Sequence, residues 1–79
     1  MEIAVITTFT LVYCQPGKYP DVLAAAKKIP GVVSAFSVHG RCDVVIVAKL
    51  EKHEDLGMYA LHLNAISGVN ASETLVGFE

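Results

Sequence analysis

From Ile3 to Cys14 the chain carries no charge, and its Ile, Val, Thr, Phe and Tyr content is that of a strand. Ile3, Val5, Thr7, Phe9, Leu11 and Tyr13 alternate with Ala4, Ile6, Thr8, Thr10, Val12 and Cys14. Neither set is polar enough to mark a solvated face. Gln15-Pro16-Gly17 then breaks the run. Tyr19, Val22, Leu23, Ala26 and Ile29 follow helical spacing and predict a helix over 19–28. Pro20 suits its first turn, and Pro30-Gly31 stops it. Val32 to Val38 reads as a second strand, ended by His39-Gly40-Arg41. Cys42 to Leu50 reads as a third, dominated by Val44, Val45, Ile46 and Val47. Glu51 to Asp55 leads into a second helix with Leu56, Tyr59, Ala60, Leu63 and Ile66 on one face. Gly68 caps it, and Val69 to Phe78 is a weaker last strand.

The order is β-α-β-β-α-β, and its halves echo each other. Ile29-Pro30-Gly31-Val32 is answered by Ile66-Ser67-Gly68-Val69, and Gly40 by Gly77, each 37 residues on. This is the split βαβ pattern of an α+β, ferredoxin-like fold: a four-stranded antiparallel sheet with two helices. Right-handed crossovers place both helices on one face. Residues 1–79 form one domain, with no linker or low-complexity segment. Strands one and three are apolar on both faces, and two helices cover only one. The bare face predicts a homodimer built sheet to sheet. The alternative is a monomer whose bare face is softened by Thr7, Thr8 and Thr10.

Composition sharpens that expectation. Of 79 residues, 53% are apolar and 18% charged. That is more hydrophobic side chain than a small monomer readily hides, so a partner surface is expected. Six Lys and Arg stand against eight Asp and Glu, for a net charge of −2. Without a basic face, direct nucleic-acid binding is not expected. The apolar N-terminus lacks a charged leader and a cleavage site, and no apolar run approaches the ~20 residues of a membrane span. A soluble, cytoplasmic protein is expected.

Polar residues gather at element ends, most densely at His39-Gly40-Arg41-Cys42-Asp43. Glycine there permits φ > 0 and close approach to a ligand, successive N–H groups can cradle a carboxylate, and Asp43 offers an acceptor to an ammonium. Arg41 is a second anion contact. The plain alternative is a hairpin in which Gly40 and Asp43 only form the turn. Cys14 and Cys42 fall where strand one ends beside the start of strand three, near His39 and Asp43, yet no C-x-x-C or H-x-x-H spacing supports a metal or disulfide. Free thiols acting as small hydrophobes are the expectation. His53 and His62 read as surface residues, and Met58, Tyr59 and Leu63 as core or interface. No nucleophile and base pair is recognisable, so neither catalysis nor a cofactor is expected.

Taken in order, Phe9-Thr10-Leu11-Val12, Pro16-Gly17-Lys18, Ile29-Pro30-Gly31-Val32, Val38-His39-Gly40-Arg41-Cys42-Asp43, and Ile66-Ser67-Gly68-Val69 with Ser72-Glu73-Thr74 resemble the effector-binding (RAM, ACT-like) domain of the Lrp/AsnC family. The resemblance spans essentially the whole chain, and its most specific piece is the G-x-x-D turn from Gly40 to Asp43. It implies sheet-to-sheet dimers, octamer-like rings, amino-acid effectors held near that turn, and a role in transcription regulation. Gly40 and Asp43 match the turn, and Ser72 and Thr74 the family's hydroxyl pair on the last strand. The implied ligand-binding set is Gly40, Arg41, Cys42, Asp43, Ser72 and Thr74. Two positions depart from the pattern: His39 replaces a small or β-branched residue, and Cys42 an aromatic. Full-length members carry a helix-turn-helix. Met1 leads directly into the first strand, so a stand-alone member that modulates a full-length regulator by co-assembly is expected. An ACT-like regulatory domain, a small dimeric α/β-barrel-type enzyme using His39 and Asp43, and a ligand-free assembly unit remain the alternatives.

Overall fold

The computed structural model describes residues 5–77. Its elements run β1 (Ile6–Cys14), α1 (Tyr19–Ala26), β2 (Val32–Ser37), β3 (Val44–Leu50), α2 (His53–Asn64) and β4 (Val69–Gly77). The strands lie in the order β2-β3-β1-β4, and every neighbouring pair is antiparallel. This is the ferredoxin-like α+β arrangement the element order predicts.

The core lies between the sheet and its two helices. Val12, Val44, Ile46 and Ala48 meet Val22 and Ala26 of α1 and Tyr59 and Leu63 of α2. Alternation assigns the faces: Thr8, Thr10 and Val12 of β1 point at the helices and are fully buried. Two of the threonines expected to soften the bare face are therefore in the core. The opposite face carries Phe9, paired with Val47 on one side and Leu75 on the other, and Leu11, paired with Val45. Phe36 pairs with that same Val45. Phe9 is 42% exposed, and Phe36 and Leu75 are each 48% exposed.

The internal repeat has a structural counterpart. The Lys49 N–H donates to the Gly31 carbonyl, and the Gln15 N–H to the Gly68 carbonyl, both at 2.8 Å. Each helix exit is thus tied to the far end of a central strand. Gly31 has φ +93, and a Cβ there would lie 2.7 Å from Leu50 Cδ2. Only glycine fits.

The element bounds differ from the sequence expectation at the ends. Helix α1 stops at Ala26, because Lys28 and Ile29 donate to Ala25 and Ala26 in tighter, three-residue steps ahead of Pro30. Strand β2 ends at Ser37 rather than Val38, and β3 begins at Val44 rather than Cys42. At Asp43 the ladder changes: its carbonyl still accepts the Val38 N–H, but its own N–H turns to the Val12 carbonyl, one residue out of the β1–β3 register. Val5 precedes β1, while Ile3, Ala4 and Phe78 lie outside the described residues. His53 and His62 are exposed as expected; Met58 is 56% exposed and so is no core residue.

Candidate functional site

The β2–β3 turn is pinned to the end of β1 by its aspartate. The Asp43 N–H donates to the Val12 carbonyl at 2.9 Å, and the Val38 N–H donates to the Asp43 carbonyl at 3.0 Å. The Asp43 carboxylate then accepts the Cys14 N–H on Oδ2 at 2.7 Å. This is a charge-assisted bond just beyond Val12↔Val44, the last paired residues of β1 and β3. Gly40, at φ +132, lets the chain reverse with open space around its α-carbon.

Beside this turn lies a pocket of about 220 Å³ lined by Tyr19, Ser37, Val38, His39 and Asp43. Of the six residues implied by the resemblance, only Asp43 lines it. Gly40 and Arg41 are exposed at the tip, and Cys42 is buried at 8% exposure. Tyr19 and Ser37 bring hydroxyls that sequence reasoning did not assign to the site. Their signals were faint: an aromatic directly ahead of the helix proline, and a serine interrupting an apolar strand. Asp43 is exposed, and one bonded oxygen leaves its carboxylate with further acceptor capacity. The pocket thus combines one anionic acceptor, hydroxyls and an imidazole over the apolar wall of Val38.

Ser72 and Thr74 do not join it within one chain. They lie on β4, separated from β2 and β3 by β1. The Ser72 hydroxyl donates to Asn64 Oδ1 at 3.0 Å. The Thr74 hydroxyl is 3.1 Å from that of Thr10, which is 2.7 Å from the Tyr59 hydroxyl. These three hydroxyls form a chain from the core beneath α2 to the surface of β4. Burial pushes the Tyr59 phenol above its usual value, and its bonds to Thr10 and Thr8 partly oppose the shift.

Cys14 and Cys42 are both free. Partial burial, then the Asp43 carboxylate and Cys42, raise the Cys14 thiol above its ordinary value. Among the described residues, no group of three His, Cys, Asp or Glu side chains is placed to hold a metal ion. A larger cleft of about 350 Å³ opens between β3 and α2, lined by residues that include Ile29, Leu50, Asp55, Met58, Tyr59 and His62. It includes no residue of the β2–β3 turn. Among the described residues, no helix is long and apolar enough to cross a membrane.

Known proteins align with this geometry. Over 71 residues the chain is 27% identical to the HTH-type transcriptional regulator FL11 of Pyrococcus furiosus, covering 90% of this chain and 47% of that protein. It therefore spans about half the length of this relative. The structure of TTHA0845 from Thermus thermophilus superposes with a TM-score of 0.87 at 28% identity, over 94% of both chains. The fold also matches the transcriptional regulator NMB0573 of Neisseria meningitidis, solved as an L-Met complex, with a TM-score of 0.82 at 19% identity, over 94% of this chain and 50% of that one. The model of the Lrp/AsnC ligand binding domain matches residues 7–79. The G-x-x-D turn, the antiparallel sheet and this match along nearly the whole chain agree: the protein belongs to the Lrp/AsnC ligand-binding domain family.

Proposed function

We propose that this domain is a non-catalytic sensor that binds a small amino acid at the β2–β3 turn and assembles through its open sheet face. The observation that carries the proposal is the exposed Asp43 carboxylate on the wall of a pocket of about 220 Å³. Asp43 receives the ligand's ammonium, and the backbone N–H groups around Gly40 and Arg41, with the Arg41 guanidinium, receive its carboxylate. Cys42 shapes the base of the turn. Ser72 and Thr74 of a neighbouring copy complete the polar ring, since β1 keeps them from the turn of their own chain. The L-Met bound by the similar Neisseria regulator supports this ligand class.

The open face of Phe9, Phe36, Leu75 and their neighbours is the homodimer surface, and dimers join into octamer-like rings. In the cytoplasm, co-assembly with a full-length Lrp/AsnC regulator passes the amino-acid signal to transcription. Thermal unfolding against the twenty amino acids at fixed protein concentration tests the proposal. At a hundred times its dissociation constant a ligand stabilises by ~2.7 kcal/mol. In a domain of this size that raises Tm by roughly 10 °C or more. A selective rise for one or a few amino acids is expected. A flat panel would favour a ligand-free assembly unit.

A further inference from the structure

We infer that the pocket beside the β2–β3 turn selects an amino acid with a short, uncharged, hydrogen-bonding side chain, and that Tyr19, Ser37 and His39 read it. This selection rests on the binding of an amino acid at the turn, and it names which kind. With the ligand's ammonium on Asp43 and its carboxylate at the exposed tip of Gly40 and Arg41, its side chain is the part left to enter the pocket. The chain brings the three readers together from two elements and the turn. Ala35 of β2 is buried against the helices, so alternation turns Ser37 to that same face. Tyr19 opens α1, the helix packed on β2, and His39 stands two residues past Ser37. All three line the pocket.

Size and chemistry then narrow the side chain. About 220 Å³ is below the ~300–1,000 Å³ of pockets that enclose drug-sized ligands, so a short side chain fits. A phenol, a hydroxyl and a neutral imidazole each offer a donor and an acceptor. Among the described residues that line the pocket, only Val38 is purely apolar. A side chain that both donates and accepts meets these walls. An aliphatic one of the same shape displaces their water and returns no bond. A side-chain carboxylate would share this small space with the Asp43 carboxylate, and like charges repel. A side-chain ammonium only donates and leaves the donors of the walls unmet. Short hydroxyl and carboxamide side chains remain, those of serine, threonine and asparagine.

Calorimetric titration with near-isosteric pairs tests the selection: threonine against valine, and asparagine against leucine. The polar member of each pair should bind at least tenfold more tightly, and aspartate and lysine should each bind more weakly than asparagine. Tyr19→Phe and Ser37→Ala each remove one hydroxyl from an exposed position, and His39→Leu removes the imidazole from another. Each should narrow the ratio within the pairs several-fold, with valine and leucine bound as by the wild type. Equal binding within the pairs, a preference for valine, leucine, aspartate or lysine, or a ratio that none of the three variants moves would overturn the inference and leave amino-acid binding at the turn standing. Binding of none of the twenty amino acids would overturn both.

Discussion

The carboxylate of Asp43 accepts the backbone N–H of Cys14 at 2.7 Å, which makes one side chain both the seam of the fold and the anionic wall of the pocket. The two roles separate by substitution. Asn keeps an acceptor for Cys14 and loses the charge, whereas Ala loses both. Asp43→Asn should melt within a few degrees of the wild type and bind amino acid at least tenfold more weakly. Asp43→Ala should in addition lose about 1 kcal/mol of stability, below the usual range for a bond to a charged group because the site is exposed. Denaturant unfolding and calorimetric titration of both variants check this.

The hydroxyl chain beneath α2 gives a second prediction. Tyr59→Phe leaves the fully buried Thr10 without its 2.7 Å partner and should cost about 1–2 kcal/mol. Thr10→Val should cost a similar amount, and the double variant less than the sum. Urea unfolding of the four proteins closes the cycle.

The same residue fixes an alkaline limit. The Tyr59 phenol is raised above 10.0 in the folded protein, chiefly by burial. Folding therefore favours the protonated phenol. Its contribution is complete below the unfolded-state value near 10 and is lost as pH rises towards the raised folded value. Stability should fall above about pH 10 in the wild type. Tyr59→Phe should lack that component of the fall, as Tm measured from pH 8 to 11 would show.

Two glycines with positive φ should respond differently to alanine. Gly40 has open space, so Gly40→Ala meets only backbone strain of about 1 kcal/mol. At Gly31 the new methyl group would also meet Leu50 Cδ2 at 2.7 Å and the Lys49 carbonyl at 3.2 Å. Leu50 is buried, and the Lys49 N–H already holds the Gly31 carbonyl. Gly31→Ala should therefore cost about 2–4 kcal/mol. Comparative melts of the two variants decide it.

A charge on the open face should separate copies without unfolding the chain. Phe9 is 42% exposed on the side away from the helices. Phe9→Glu should shift the sedimentation coefficient from that of a dimer or larger ring to that of a monomer, with its far-UV spectrum unchanged. A wild-type protein that sediments as a monomer would refute the assembly.

Much of this architecture is written in short-range patterns. The stop at Pro30-Gly31, its echo at Ser67-Gly68 and the two-sided apolar strands suffice to order the elements and give the fold. What alternation alone leaves open in β1 is its phase. Both residue sets lack charge, so only the helices, by covering Thr8 and Thr10, decide which face is core. The start of β3 is set where the Asp43 N–H turns to the Val12 carbonyl, a contact that no local window contains. Tyr19 reaches the pocket only once α1 is packed on the assembled sheet, whereas Ser37, the last residue of β2, stands two positions from His39 and is local to the turn.

An amino acid bound at the β2–β3 turn perturbs the amides that surround it. Amide shift mapping of the ¹⁵N-labelled protein, titrated with each of the twenty amino acids, tests it most directly. Saturable shifts centred on Val38 to Val44, with the Cys14 amide included, are the predicted result. Shifts confined to the cleft of Leu50, Asp55 and His62, or no saturable shift with any amino acid, would contradict it.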